Sequence, residues 1–145
     1  MNPLKGLTEY GQSVWLDYIR RSLITSGELE RLIAEDGLRG VTSNPAIFEK
    51  AITGSTDYRN ALAELQGPPG QTAEAVYERL AVADIRDAAD ILRPVYERTV
   101  RRDGSVSLEV SPSLARDTEG TLEEARRLWK TVHRPNLMIK VPATP

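Results

Sequence analysis

The sequence contains no cysteine. Disulfides, thiolate nucleophiles and thiolate metal ligands are thereby excluded, and a reducing compartment suits the chain. Histidine occurs once, as His133; it stands in a loop beside Arg134 and is expected at the surface rather than as a base. No stretch approaches the ~20 apolar residues of a membrane span, and Met1 to Gly6 has no apolar core of signal-peptide length. Charge of one sign is lacking too. With a net charge of −2 there is no basic footprint for nucleic acid. What is there, 145 residues with 40% hydrophobic and 28% charged side chains, is ordinary for one soluble domain. A soluble cytoplasmic protein is expected.

Taken in order, residues 1–12 form a leader and Ser13 to Asp17 a short strand. Tyr18 to Leu23 is a helical turn with Arg20 and Arg21 solvated. Thr25 with Glu28 has capping-box spacing, Leu29, Leu32 and Ile33 have helical spacing, and Gly37 is a stop. Leu38 to Pro45 is a second strand, closed by its proline. Helices are expected over 46–52 and 57–65, and Gly67-Pro68-Pro69-Gly70 is a break. Thr72 caps a long helix whose stripe is Val76, Leu80, Ala83, Ala88, Ile91 and Val95, and Pro94 is expected to kink or restart it. After a turn at Arg101 to Gly104 come a third strand from Ser105 to Pro112 and a helix with a Thr121/Glu124 capping box. That helix has a stripe of Leu122, Ala125, Leu128, Trp129 and Val132, with Trp129 expected in the core. Leu137 to Val141 is a fourth strand. Strands alternating with helices argue for parallel β/α architecture, though open sheet and barrel remain equally compatible with the pattern.

The fourth strand is apolar except for Lys140. Burial disfavours an ammonium and lowers its pKa from ~10.4, which makes a lysine a usable amine nucleophile toward carbonyls. The bland alternative is an edge lysine reaching water. Side chains alternate across strands, so each strand sets one polar group near its C-terminal end: Asp17, Asn44, Glu109 and Lys140. Thr42 shares a face with Asn44. In a barrel of parallel strands that rim is where catalytic groups converge. Against this, Asp17 could be a helix cap, Asn44 a turn residue before Pro45, and Glu109 a solvated charge.

Gly40-Val41-Thr42-Ser43-Asn44-Pro45-Ala46-Ile47-Phe48, Ser107-Leu108-Glu109-Val110-Ser111-Pro112 with Asp117-Thr118, and Arg134 to Thr144 resemble three segments of the transaldolases. The leader from Asn2 to Asp17 resembles the start of the longer bacterial members. The resemblance implies a (β/α)8 TIM barrel that transfers a dihydroxyacetone unit between sugar phosphates. Sedoheptulose 7-phosphate and glyceraldehyde 3-phosphate would give erythrose 4-phosphate and fructose 6-phosphate, in the pentose phosphate pathway. It implies Lys140 as the Schiff-base lysine and Glu109 as a proton shuttle through water. Asp17 would be the acid/base at the donor's 4-hydroxyl, and Asn44 and Thr42 would hold substrate hydroxyls or water. It implies no cofactor and no metal, with sugar phosphates as partners, no nucleic acid, no membrane, and a second copy as a candidate partner.

The fourth strand lies four or five residues from Pro145, without the helix that would cover it. Residues 1–145 are therefore expected to be the N-terminal half of one barrel domain, supplying about four of its strands and cut before the phosphate-binding residues. Such a piece is expected to be weakly active or inactive, and poorly stable or paired with another copy. Three other readings stand beside the transferase: a related Schiff-base aldolase, a metal-assisted lyase with Asp17 and Glu109 as ligands and Lys140 as base, and an inactive half-barrel assembly module.

Overall fold

The computed structural model describes residues 2–65 and 71–144. The Gly67 to Gly70 break lies outside them. Four parallel strands form one sheet in chain order: β1 (Val14–Asp17), β2 (Leu38–Thr42), β3 (Ser105–Glu109) and β4 (Leu137–Lys140). Each parallel crossover requires an intervening helix. These are α2 (Arg21–Thr25) and α3 (Glu28–Arg31) after β1; α4 (Pro45–Thr53), α5 (Arg59–Leu65) and α6 (Ala73–Arg98) after β2; and α7 (Thr118–Val132) after β3. A short helix, α1 (Pro3–Gly6), opens the chain. Consecutive strands that stay neighbours, each separated by helix, make the winding of the first half of a (β/α) barrel.

The two sheet faces differ. Val41, Val106, Leu108 and Leu137 are buried against the helices with Ile85, Leu92 and Val132. On the other face Trp15 and Met138 are 37% and 50% exposed. The fourth strand is thus buried on one face only. Gly40 is required on the open face. It pairs with Trp15, and a Cβ there would come within 2.4 Å of the indole.

Helix ends depart from the sequence pattern in ways that local hydrogen bonds explain. Thr25 closes α2, and α3 starts after Gly27 in a left-handed conformation, so there is no Thr25/Glu28 box. Helix α7 begins three residues before Thr121, because Asp117 accepts from the Gly120 N–H (3.0 Å). Glu124 instead accepts from the Ser111 N–H (2.8 Å). Helix α6 continues past Pro94, with Leu92 and Val95 on either side buried. Its buried stripe includes Ile85, Ala89 and Leu92, wider than the spacing suggested. Gly37 stops its segment as expected, with φ 72°. Trp129 is 47% exposed rather than in the core, and His133 is exposed. Among the described residues, no helix is long and apolar enough to cross a membrane.

Two arginines expected to be solvated are tied down instead. Arg20 pairs with Asp57 (2.9 Å) and Arg21 with the buried Asp84 (2.7 Å). Three carboxylates are held below their usual range: Asp57 by Ser22 and then Arg20, Glu78 by Arg127, and Asp90 by Arg134. A lowered acid contributes stability above its unfolded pKa, near 4, and loses it as the pH falls through the folded value. The melting temperature is therefore expected to fall between pH 5 and pH 3. Glu78→Gln should cost less than about 1 kcal/mol at pH 7, since both partners are water-exposed, and should flatten part of that acid limb in thermal melts.

Candidate active site

Register brings the central pair together. Glu109 and Lys140 are direct partners across β3 and β4, and the Val110 N–H donates to the Lys140 carbonyl (3.1 Å), extending the ladder past both. Directly opposed residues on one face lie within side-chain reach, and Lys140 Nζ sits 3.2 Å from Glu109 Oε2. The ammonium donates to two more acceptors, the Ser43 carbonyl at 2.8 Å and Thr42 Oγ1 at 3.5 Å. Nζ thus has one ion-pair partner and two hydrogen-bond acceptors around it. Lys140 is 41% exposed at the side chain and Glu109 22%. The lysine is therefore a hydrogen-bonded group on the open face, not the dry buried amine that an apolar strand suggested.

Asn44 is a helix cap as well as a site candidate. Its backbone is extended, Pro45 follows at the first helical position, and Oδ1 accepts from the Ile47 N–H (2.9 Å). Its amide N–H groups, and the second acceptor site of Oδ1, remain to address a ligand. Asp17 is exposed, and β1 pairs it with Thr42. It is not a helix cap: Arg20 occupies that position before α2. No side-chain hydrogen bond or ion pair joins Asp17 to another group among the described residues. It lies three strand spacings from Lys140, roughly 14 Å along the sheet. The structure thus joins Lys140, Glu109 and Thr42 directly, and holds Asp17 and Asn44 on neighbouring strand ends.

Sequence reasoning missed Ser43 and Ser107. Ser107 is 4% exposed and Ser43 fully buried. Ser43 Oγ donates to the Ser107 carbonyl (2.8 Å), and the Ser43 N–H donates to Ser107 Oγ (3.3 Å). The signal available was the alternation Ser105-Val106-Ser107-Leu108-Glu109, which puts three polar groups on the open face of a central strand. Tyr77 is a second omission. Burial, and then the charge of Glu109, push its phenol up to about 12. A cleft of about 620 Å³ runs between α4, α6 and α7, lined by Pro45, Tyr77, Leu108, Glu109 and Leu128 among others. It reaches Glu109 but not Lys140, so it lies to one side of the Lys140–Glu109 pair and not over it. Among the described residues, no three histidine, cysteine, aspartate or glutamate side chains converge as a metal site.

Against known proteins, residues 14–145 match the model of the transaldolase/fructose-6-phosphate aldolase family. The chain is 52% identical over 145 residues to the transaldolase of Thiobacillus denitrificans, covering all of this chain and 40% of that protein. It is 51% identical over 143 residues to transaldolase 2 of Nostoc punctiforme (99% and 37%), and 52% identical over 143 residues to the transaldolase of Thermobifida fusca (99% and 39%). It spans about two fifths of the length of these curated relatives. With a lysine and a glutamate paired at adjacent strand ends, and with the family match running from β1 through β4, the chain belongs to the transaldolase/fructose-6-phosphate aldolase family.

Proposed function

We propose that this chain carries the first four strands of a transaldolase barrel, residues 1–145 being the N-terminal part of that barrel domain. The reaction is transfer of a dihydroxyacetone unit between sugar phosphates, from sedoheptulose 7-phosphate to glyceraldehyde 3-phosphate, in the pentose phosphate pathway of the cytoplasm. The observation that supports it most is the Lys140–Glu109 pair at 3.2 Å. A proton acceptor in contact with an amine, on a strand end facing open space, is what imine formation needs.

Lys140 gives a proton to Glu109 through water, and the free amine adds to the donor's ketone carbon while a second amine proton passes through water to the ketone oxygen, giving the carbinolamine hydroxyl. Glu109 returns the proton to the departing hydroxyl, which leaves as water, and the iminium forms. The iminium accepts the electron pair of the adjacent C–C bond as it breaks, while Asp17 takes the proton of the 4-hydroxyl and the aldehyde departs. The resulting enamine adds to the acceptor aldehyde, whose oxygen recovers the proton from Asp17. Thr42 and the free amide of Asn44 hold hydroxyls or water beside the amine. The iminium is itself the electron sink, so these steps use no metal or cofactor.

Borohydride reduction, in the presence of fructose 6-phosphate, of the whole barrel of which residues 1–145 are proposed to be the N-terminal part tests this. Mass spectrometry is expected to show one reduced adduct, located on Lys140; an unmodified Lys140 refutes the proposal. Glu109→Gln should slow adduct formation by about 10²-fold or more, the contribution typical of a positioned proton shuttle. The family name also covers aldolases, in which the enamine is protonated and released. Product analysis with and without erythrose 4-phosphate separates the two: transfer requires the acceptor, and release does not.

A further inference from the structure

We propose that Ser107 is a positioning residue that turns the Thr42 hydroxyl into a donor aimed at the oxygen reacting beside Lys140. The inference rests on the imine reading above and deepens it.

Ser107 Oγ donates to Thr42 Oγ1 at 2.9 Å while accepting from the Ser43 N–H at 3.3 Å. Thr42 Oγ1 also accepts from Lys140 Nζ at 3.5 Å. A hydroxyl has two acceptor sites and one proton to give. With both acceptor sites of Thr42 filled, its proton must be donated outward. Thr42 shares the open face with Lys140, so that proton points into the space where a ketone oxygen, a carbinolamine hydroxyl or a water would sit.

The same serine fixes a second contact of the lysine. The two Ser43–Ser107 hydrogen bonds hold the backbone just after β2, which aims the Ser43 carbonyl at Nζ at 2.8 Å. Of the three acceptors around Lys140, Thr42 Oγ1 is set through the Ser107 side chain, which never touches the lysine, and the Ser43 carbonyl is set partly through that side chain and partly through the Ser107 main-chain carbonyl. Ser107 is 4% exposed, so water does not substitute for its hydroxyl. In Ser107→Ala the Thr42 hydroxyl regains a free acceptor site and rotates among several partners, and the Ser43 N–H loses its acceptor. Carbinolamine formation and dehydration then lose an oriented donor, while contacts to the rest of the sugar are untouched.

The test measures the rate of the borohydride-trapped adduct at Lys140 against fructose 6-phosphate concentration, from pH 6 to 9. The unsubstituted chain is compared with Ser107→Ala, Thr42→Ala, the double variant and Ser107→Thr, with folding followed by circular dichroism. Ser107→Ala is expected to lower the saturating rate about tenfold with an unchanged half-saturating concentration and a displaced pH profile. Thr42→Ala should lose as much, the double variant no more than either, and Ser107→Thr, which keeps the hydroxyl, should recover to within about twofold. A Ser107→Ala chain that traps at the unsubstituted rate overturns the inference alone, as do additive losses in the double variant. No adduct on Lys140 of the unsubstituted chain overturns the imine reading and this inference with it.

Discussion

Lys140→Met is expected to abolish the borohydride-trapped adduct outright, a loss of at least about 10⁴-fold against the unsubstituted chain, as is usual when a covalent nucleophile is removed. Methionine is similar in length and unbranched, so β4 should keep its place between Val106 and Leu108 on one side and α7 on the other. Glu109 loses its ion-pair partner, but at 22% side-chain exposure it retains some access to water. The melting temperature should therefore change little, and the near-complete loss of adduct is chemical. Lys140→Arg sharpens the result. It keeps a positive charge beside Glu109, yet a guanidinium stays protonated at any working pH and does not add to a ketone. If charge alone at this strand end drew the sugar phosphate, Lys140→Arg would still bind fructose 6-phosphate; if the amine is the nucleophile, no reduced adduct appears in either variant. A reduced adduct found on another lysine, such as Lys50 or Lys130, with Lys140→Met still trapping at the parent rate, would refute the assignment.

The strand ends were legible because they rest on the one pattern that local sequence carries without ambiguity, the twofold alternation of side chains. It set Glu109 and Lys140 on matching faces before any register was known, and the parallel ladder then made them partners. What alternation does not carry is curvature or cover. Lys140 was expected in a dry site because its neighbours are apolar; Leu137 and Ile139 are packed against helices, whereas Met138 beside it faces open space. Helix starts were misread for a different reason. Thr25/Glu28 and Thr121/Glu124 both have capping spacing, but an N-cap requires an extended residue at that position, and tertiary contacts put Thr25 inside one helix and Thr121 inside another. Trp129 lies on an apolar stripe and is nevertheless half exposed, since the stripe of α7 is covered mainly at Leu128 and Val132. Ser43 and Ser107 escaped because their importance lies in two residues 64 positions apart meeting across a ladder. No window of sequence contains that pair.

Arg21 shows the same limit with a larger consequence for stability. Asp84 on α6 is 1% exposed and accepts from Arg21 Nε at 2.8 Å and from the Tyr58 hydroxyl at 2.7 Å. Tyr58 in turn accepts from the Arg21 N–H at 3.0 Å, and the Arg21 guanidinium lies 4.7 Å from the Tyr58 ring centroid. Burial raises the Asp84 carboxyl above its ordinary value, with Tyr58 and Arg21 only partly offsetting it. Asp84→Ala should leave the Arg21 charge and the Tyr58 hydroxyl without their partner, at a cost of about 3 kcal/mol, the low end for breaking a buried pair because Arg21 remains 23% exposed. At this chain length that is about 10 °C in melting temperature. Removing both charges with Arg21→Met and Asp84→Leu should recover most of the loss, since an apolar pair carries no desolvation penalty. The sign of the pH dependence follows from the raised carboxyl: its contribution is largest below the unfolded pKa and is lost as the pH rises through the folded one. The double variant should therefore gain most on the parent near neutral pH. A drop of less than about 2 °C for Asp84→Ala would refute the account. The network also anchors α2, the helix that follows β1, the strand that ends at Asp17. Well below its melting point, Asp84→Ala should still form the Lys140 adduct at the parent rate but cleave the donor more slowly. That split would place the damage at β1 and leave the chemistry of β3 and β4 intact.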